Sequence, residues 1–522
     1  MAKGVKKILD SVHGYVSIPA MYVDNIIDTP QFQRLRRIEQ TSCRALFPSA
    51  RHDRFIHSIG VFYLGTLICE HLWEDNFSDA EKRNEHLISI IVTYRLACLL
   101  HDIGHTPFSH TFEEFFDHKS NDLVHNLALF IPEDPNFENE FVSQFTNEGK
   151  LRFAPHEVLS AIIAIRDFKN IIINEHNEWK NLYKAGIPQL LVRMIVGCRY
   201  NIAEKSLEDA FIDLIHGDII DADGLDYVCR DVWASGYSTS KVDVSRLINA
   251  IHIKEYEGNY VVCYSDKALN EIKSVLQVKN FQNDIVFNHH TVILEQELLK
   301  QAMQSAAIRC MCVQPQEKEK EDDLRLRAIH ELCDIKLYSE KGFTLKNGEL
   351  IINPMDDDFI HLMKEANDDK FISQWLSRQY DSIPLWKRQE AFLSVMDEDL
   401  RADYDDKAWI FSDECKLFLA EICQTMVENI KILKIKPKDR LEKLNQALVY
   451  TGNRVCKYIE IFPLLKKEEQ TEEIQKFIDK QNKNMHPLIC YILIPKEKEN
   501  MRTNIQNALI DRWKRSVRKE ES

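Results

Sequence analysis

Residues Leu99 to His110 read LLHDIGHTPFSH, placing His101, His105, His110 and Asp102 directly behind an apolar run. Upstream of it, LISIIVTYRLACLL (Leu87–Leu100) and VFYLGTLICEHLW (Val61–Trp73) repeat apolar residues at helical spacing. Downstream, VLSAIIAI (Val158–Ile165) and LEDAFIDLIHGDIIDADGLDYVCRDVW (Leu207–Trp233) do the same. The fold class expected is therefore mainly α, a helical core of about the first 240 residues. One β-hairpin interrupts it, IHIKEYEGNYVVCY (Ile251–Tyr264), with its turn placed at Gly258-Asn259. The segment QPQEKEKEDD (Gln314–Asp323) is almost wholly polar and is expected to be an exposed boundary. That divides the chain into a core at 1–313, a charged loop at 314–323 and a smaller helical or α+β region at 324–522. The last of these contains the strand-like ELIINP and LICYILIP.

Composition narrows the function classes. A net charge of −15 over 522 residues argues against broad, sequence-independent binding of nucleic acid, which needs many cations facing phosphates. The chain's 13 cysteines show no repeated CxxC spacing, so free thiols in a reducing compartment are expected rather than a zinc or disulfide framework. There is no signal-like N-terminus and no wholly apolar run of roughly 18 residues, so a cytoplasmic location without membrane association is expected.

An apolar helix ending in His101-Asp102 offers an imidazole nitrogen and a carboxylate oxygen side by side, both suited to a divalent ion. His57, at the start of another apolar helix, and Asp223, in IIDADGLDYVCRD, are candidates to complete the set. On the helix carrying Asp223, the residues Tyr227, Arg230 and Asp231 follow at i+4, i+7 and i+8. That polar stripe would be unusual to bury unless it faced a polar ligand. Taken singly, each residue also has a plainer reading, as a hydrogen-bonded core histidine or a helix-capping aspartate.

The order His57, His101-Asp102, Asp223 resembles the HD-domain metal phosphohydrolases. The segments VHGYVSIP, IDTPQFQRLRRIEQ, FPSARHDRFIHSIGVFYLG, LLHDIGHTPFSH, PHEVLSAII and DADGLDYVCRD are similar to the deoxynucleoside triphosphate triphosphohydrolases. These include bacterial dGTPase-like enzymes and the catalytic region of the vertebrate members that carry a sterile-alpha-motif domain. The resemblance covers about residues 5 to 300, and extends more faintly into MDDDFIHLMKEA and WLSRQYDSIPLWKR.

The resemblance implies one divalent ion per active site (Mn2+, Mg2+ or Fe2+), held by His57, His101, Asp102 and Asp223. It implies a dNTP substrate, cleaved to deoxynucleoside and triphosphate, with His110 as general acid held by Glu113 on the same helix face. His105, His156 and Glu157 would orient the α-phosphate, and Arg54 would reach the phosphates. Gln40, Tyr227 and Asp231 would hold base and sugar. Asp28, Gln33 and Arg36 match residues that read an activating nucleotide, which brings with it a homo-oligomer. The same three also read as a capped helix start with exposed arginines.

Two departures stand out. Gly224 occupies a position where the family places a phosphate-binding cation, and Ile285 stands near another; Lys279, His289 and His290 are candidate substitutes. Hydrolysis of another phosphoester, and a catalytically inactive nucleotide sensor, are the competing readings.

Overall fold

The structure, a computed structural model, describes residues 4–116, 120–236, 242–311, 314–317, 319–333, 342–345, 348–366, 369–436, 440–461 and 488–520. The chain forms two compact units. The first comprises Met1–Lys279, Met303–Ala366 and Arg440–Lys467; the second comprises Asn280–Ala302, Asn367–Asp439 and Glu468–Ser522. The charged stretch 314–323 falls inside the first unit, and a helix begins within it at Glu321.

The first unit is helical with small sheets, as the periodicity predicts. Its scaffold is α1 (Arg54–Asp75), α2 (Glu85–Leu100), α3 (Pro155–Ile172), α4 (Pro188–Val196), α5 (Ser206–His216), α6 (Ala222–Ser235), α7 (Leu269–Phe281, in this unit as far as Lys279) and α8 (Asp356–Glu365). Every residue of α2 from Leu87 to Leu100 is buried, which is why its sequence is apolar on all faces. Helix α1 is long and apolar enough to cross a membrane by length and composition, but 72% of that window is buried within the protein, as in a core helix. Asp53 caps α1 by accepting from the Ile56 amide at 2.9 Å, and Asn84 caps α2 by accepting from the His86 amide at 2.9 Å.

Three details differ from the sequence reading. A second hairpin, β1 (Val5–Asp10) and β2 (Gly14–Pro19), opens the chain in antiparallel register; VKKILD is largely solvent-exposed and carries little apolar alternation. The run Leu207–Trp233 is two helices, parted at Gly217–Asp221, and the break frees Asp221 to cap α6 through the Gly224 amide. The hairpin of β3 (Ile251–Tyr256) and β4 (Asn259–Ser265) turns at Glu257-Gly258, both with positive φ (52° and 81°), so Asn259 is a paired strand residue rather than a turn residue. The strand Leu448–Tyr450 adds in parallel to β4 and pairs in turn with Val455–Lys457, making a four-stranded sheet.

The second unit is α+β. Ile489–Pro495 is the middle strand of three, flanked in antiparallel register by Ser382–Pro384 and Lys431–Ile435. Its core packs Leu385, Phe392, Ile410, Leu419, Ile492 and Ile494 against Trp513 of the C-terminal helix, whose indole N–H donates to Asp403 at 2.6 Å. The described cysteines are all free thiols; Cys312, one of the close pair, lies outside the described residues.

Candidate metal and phosphoester site

The ends of α1 and α2 and the start of α6 bring the four proposed ligands together. His57 Nε2 lies 2.9 Å from Asp223 Oδ1 and 3.6 Å from Asp102 Oδ2. His101 Nε2 lies 3.6 Å from Asp102 Oδ1 and 3.9 Å from Asp223 Oδ1. His57, His101 and Asp102 are buried and Asp223 is half-buried.

The tautomers follow from the far side of each ring. His57 Nδ1 sits 2.7 Å from Asp226 Oδ2, and His101 Nδ1 sits 3.0 Å from the Cys98 carbonyl. A carboxylate and a carbonyl can only accept, so both Nδ1 atoms carry a proton, which leaves Nε2 of each ring as the atom that would turn a lone pair on a cation held in the ligand cluster. Neither Nε2 has a well-directed hydrogen-bond partner, although both are buried. Buried polar atoms are normally paired, and two orphaned imidazole nitrogens converging on two carboxylates fit a divalent cation. Two neutral imidazoles and two carboxylates also balance a 2+ charge.

Burial opposes a charge on His57, but Asp223 beside Nε2 and Asp226 beside Nδ1 outweigh it and push its pKa up to about 10. Burial likewise opposes ionisation of Asp102, yet the Arg54 guanidinium holds its carboxyl well below the usual range. Arg54 is itself buried. Its Nη1 donates to Asp102 Oδ2 at 2.7 Å, its Nε to Ser109 Oγ at 3.0 Å and its Nη2 to the Gln40 carbonyl at 3.4 Å.

Beside the ligands stands a second histidine cluster. His105 and His156 stack with ring centroids 4.1 Å apart, and His110 lies edge-on to both at 5.1 and 5.3 Å. His156 Nε2 reaches to 4.0 Å from Asp102 Oδ1. Glu113 joins His110 and His156, with Oε2 2.9 Å from His110 Nδ1 and Oε1 on His156 Nδ1. His110 belongs to a short turn, Ser109–Thr111, and Glu113 opens the next helix, so their contact crosses a helix start instead of running along one face. Burial disfavours charge on His156, but Glu113 outweighs it and raises the ring to about 9. Burial and the neighbouring Arg54 cation keep His105 neutral, and neither of its nitrogens has a hydrogen-bond partner. Glu157 lies 3.8 Å from His216, and burial raises its pKa.

The remaining residues divide. Gln40 is buried with an unpartnered Oε1. Asp231 lies 2.7 Å from His52 Nε2, a neighbour the sequence reading did not name. Tyr227 is half-buried, with the Lys279 ammonium 5.3 Å from its ring centroid. Arg230 does not face the ligand cluster: fully buried, it forms a fork with Asp10 (3.1 and 2.7 Å) and a second with Asp226 (2.8 and 2.8 Å). His13 Nε2 adds a contact to Asp226 Oδ1 at 2.7 Å. Gly60 makes this approach possible, since a Cβ there would sit 1.9 Å from Asp226 Oδ1.

Gly224 has a similar local reason. A Cβ at that position would lie 2.5 Å from Lys279 Nζ, so the ammonium from α7 occupies the space a side chain at 224 would take. Lys279 is 4% exposed, and burial lowers its pKa. His289 and His290, the other candidate substitutes, belong to the second unit, as does Ile285.

Asp28, Gln33 and Arg36 lie on one short segment. Thr29 caps the turn, Gln33 accepts from Arg36 Nε at 2.9 Å and donates to the Ile27 carbonyl at 2.8 Å, and Asp28 is 3.8 Å from Lys6.

Residues 54–215, which contain His57 and His101-Asp102, match the HD domain family. Over that stretch the chain is similar to the HD domain family. The HD motif is the buried pair at the end of α2. An uncharacterized protein of Methanocaldococcus jannaschii is 28% identical over 300 residues, 57% of this chain and 49% of its own length. The deoxynucleoside triphosphate triphosphohydrolase SAMHD1 of Gallus gallus is 29% identical over 310 residues, 58% of this chain and 45% of its own. The chain thus spans about half the length of the curated relatives it matches. The crystal structure of a phosphohydrolase from Bacteroides thetaiotaomicron aligns with a TM-score of 0.57 and 18% identity, covering 94% of this chain and 100% of that one, a likeness of fold.

Proposed function

We propose that this protein is a divalent-metal-dependent phosphohydrolase that cleaves deoxynucleoside triphosphates to deoxynucleoside and inorganic triphosphate. The observation that carries the reading is the pair of orphaned, buried Nε2 atoms of His57 and His101 facing Asp102 and Asp223. A divalent ion bound there supplies charge neutralisation at the phosphate and a water of lowered pKa.

The chain's own residues do the rest. Arg54 keeps Asp102 ionised as a ligand. His156, charged through Glu113, meets a phosphate oxygen next to the neutral His105. The 5′-oxygen is a poor leaving group and needs a proton as it departs. Glu113 accepts from His110 Nδ1–H, which leaves the exposed Nε2 as the atom from which a proton would be given. Lys279 stands in for the cation absent at Gly224 and pairs with the outer phosphates. Tyr227 packs beneath the deoxyribose, where a 2′-hydroxyl would be crowded out, while Asp231 and Gln40 bond sugar and base. The segment of Asp28, Gln33 and Arg36 would take an activating nucleotide, with activity coupled to assembly of a homo-oligomer.

The test is to incubate purified protein and Mn2+ with each dNTP, singly and in mixtures, and identify the products. Deoxynucleoside with triphosphate is the expected pair, and stimulation in mixtures marks an activator. A monophosphate product, or no turnover in any mixture, overturns the reading in favour of another phosphoester or a sensor. Asp102→Ala should lose both metal and turnover, whereas His110→Ala should keep metal and lose rate.

A further inference from the structure

The loop that presents His110 is strained. Phe108 and Ser109, neither of them glycine, both adopt left-handed backbone conformations, with φ of 57° and 50°. Such a pair persists only where surrounding contacts hold it. The contacts come from far along the chain. Asp356, at the start of α8 and 5% exposed, accepts from the Phe108 amide through Oδ1 at 2.7 Å and from the Glu39 amide through Oδ2 at 2.9 Å. Ser109 Oγ completes the link by donating to the Glu39 carbonyl at 2.6 Å. Arg34 fastens the other side, donating to the carbonyls of Ile103, His105 and Pro354 at 3.0, 2.6 and 3.0 Å. Phe359, one turn into α8, packs edge-on against Phe108 at 6.4 Å between ring centroids.

We infer that Asp356 is a positioning residue for His110, a carboxylate that holds the left-handed Phe108-Ser109 backbone and so fixes where the imidazole stands relative to the ligand cluster. The inference rests on the assignment of His110 as the acid. A carboxylate is the group required, because both of its oxygens meet N–H donors. An asparagine in its place turns a donor toward one of those amides and breaks half of the clamp. Neighbouring Asp357 is exposed and meets Arg37 at 3.4 Å, so it serves as the control.

The first measurement is amide hydrogen exchange, which does not depend on the reaction. In Asp356→Asn and Asp356→Ala, exchange across residues 105–112 should rise at least about tenfold while α1 and α2 keep the protection of the wild-type protein. In Asp357→Asn nothing should change. Unaltered exchange in both Asp356 variants overturns the inference, and so does loss of protection throughout.

The second measurement is a double-mutant cycle on dNTP hydrolysis. Asp356→Asn should lower kcat about tenfold or more with KM and metal content within twofold, and should lower it no further in a His110→Ala background. An equal fall in both backgrounds means that Asp356 acts independently of His110 and overturns the positioning role. An unchanged rate in His110→Ala alone overturns the acid assignment, and the positioning role with it; raised exchange would then identify the assignment, not the clamp, as what failed.

Discussion

Asp226→Asn is the substitution that separates the metal ligands from their support. The Asp226 carboxylate is fully buried and receives His57 Nδ1 at 2.7 Å, His13 Nε2 at 2.7 Å and two Arg230 nitrogens at 2.8 Å each. Burial alone would raise its pKa, but Arg230, His13 and His57 hold it well below the carboxylate range. Every partner is a donor, so an amide NH2 at this place must face one of them, and the Arg230 guanidinium loses half of its counter-charge. Breaking a buried ion pair from one side costs about 3–5 kcal/mol, and removing the group that orients a metal-binding imidazole lowers metal affinity about 10–100-fold. Two assays read these terms separately: urea unfolding in chelator gives the stability loss, and calorimetric titration with Mn2+ gives the affinity. Asp10→Asn is the comparison, because it removes the other Arg230 partner while leaving Asp226 on His57. It should cost stability with affinity within about threefold of wild type. Should Asp226→Asn bind Mn2+ as tightly as the wild-type protein, the tautomer argument for His57 is wrong and Asp226 is an ordinary partner of Arg230.

Two further outcomes are expected. Lys279→Met should raise KM for a dNTP roughly 10-fold or more, the value of one charge-assisted contact of about 1.5–3 kcal/mol, with metal affinity unchanged. Restoring a cation from the other helix in Lys279→Met/Gly224→Lys should recover part of the loss, and an unchanged KM in the single variant refutes the phosphate role. In the second unit, Glu295 is buried beneath the Tyr380 hydroxyl, which donates to it; burial raises its pKa to about 7 against the opposing pull of Arg378. A folded-state value above the unfolded one means that this group's contribution is fully present below about pH 4.5 and is lost as pH rises through 7. The total is at most about 3.5 kcal/mol, and less where solvent screens the charge. Thermal unfolding from pH 5 to 8 should therefore show a decline that Glu295→Gln flattens; an identical slope in the two proteins rejects the assignment.

What was legible in the sequence was whatever a local pattern encodes. Helices α1, α2, α3, α5 and α6 announce themselves by apolar period, and His101-Asp102 by its place at an apolar helix end. What escaped was whatever depends on contacts between distant segments. Arg230 reads as part of a ligand-facing stripe because helical periodicity cannot reveal that Asp10, 220 residues away, holds it. Asp226, three residues after a proposed ligand, gives no periodic sign that it is the carboxylate behind His57. The β1–β2 hairpin has too little apolar alternation to be found, and the turn at Glu257-Gly258 lies one residue from where the Gly-Asn pair suggested.

Gly224 shows the same limit from the opposite direction. Along the chain it is a lost cation, and taken alone that loss argues against triphosphate recognition. In space it leaves room for Lys279 from α7, since a Cβ at 224 would sit 2.5 Å from the ammonium where it now stands and 2.8 Å from Asp221 Oδ1. On the proposed reading, the lysine at 279 supplies the cation that position 224 lacks. Burial lowers the pKa of Lys279, while the carboxylates of Asp221 and Asp223 favour its charged form. A phosphate placed between that ammonium and the ligand cluster would add a third anion on its side. On the proposed reading the cation would therefore be stabilised most with substrate bound, the direction required of a group that recognises a polyanion.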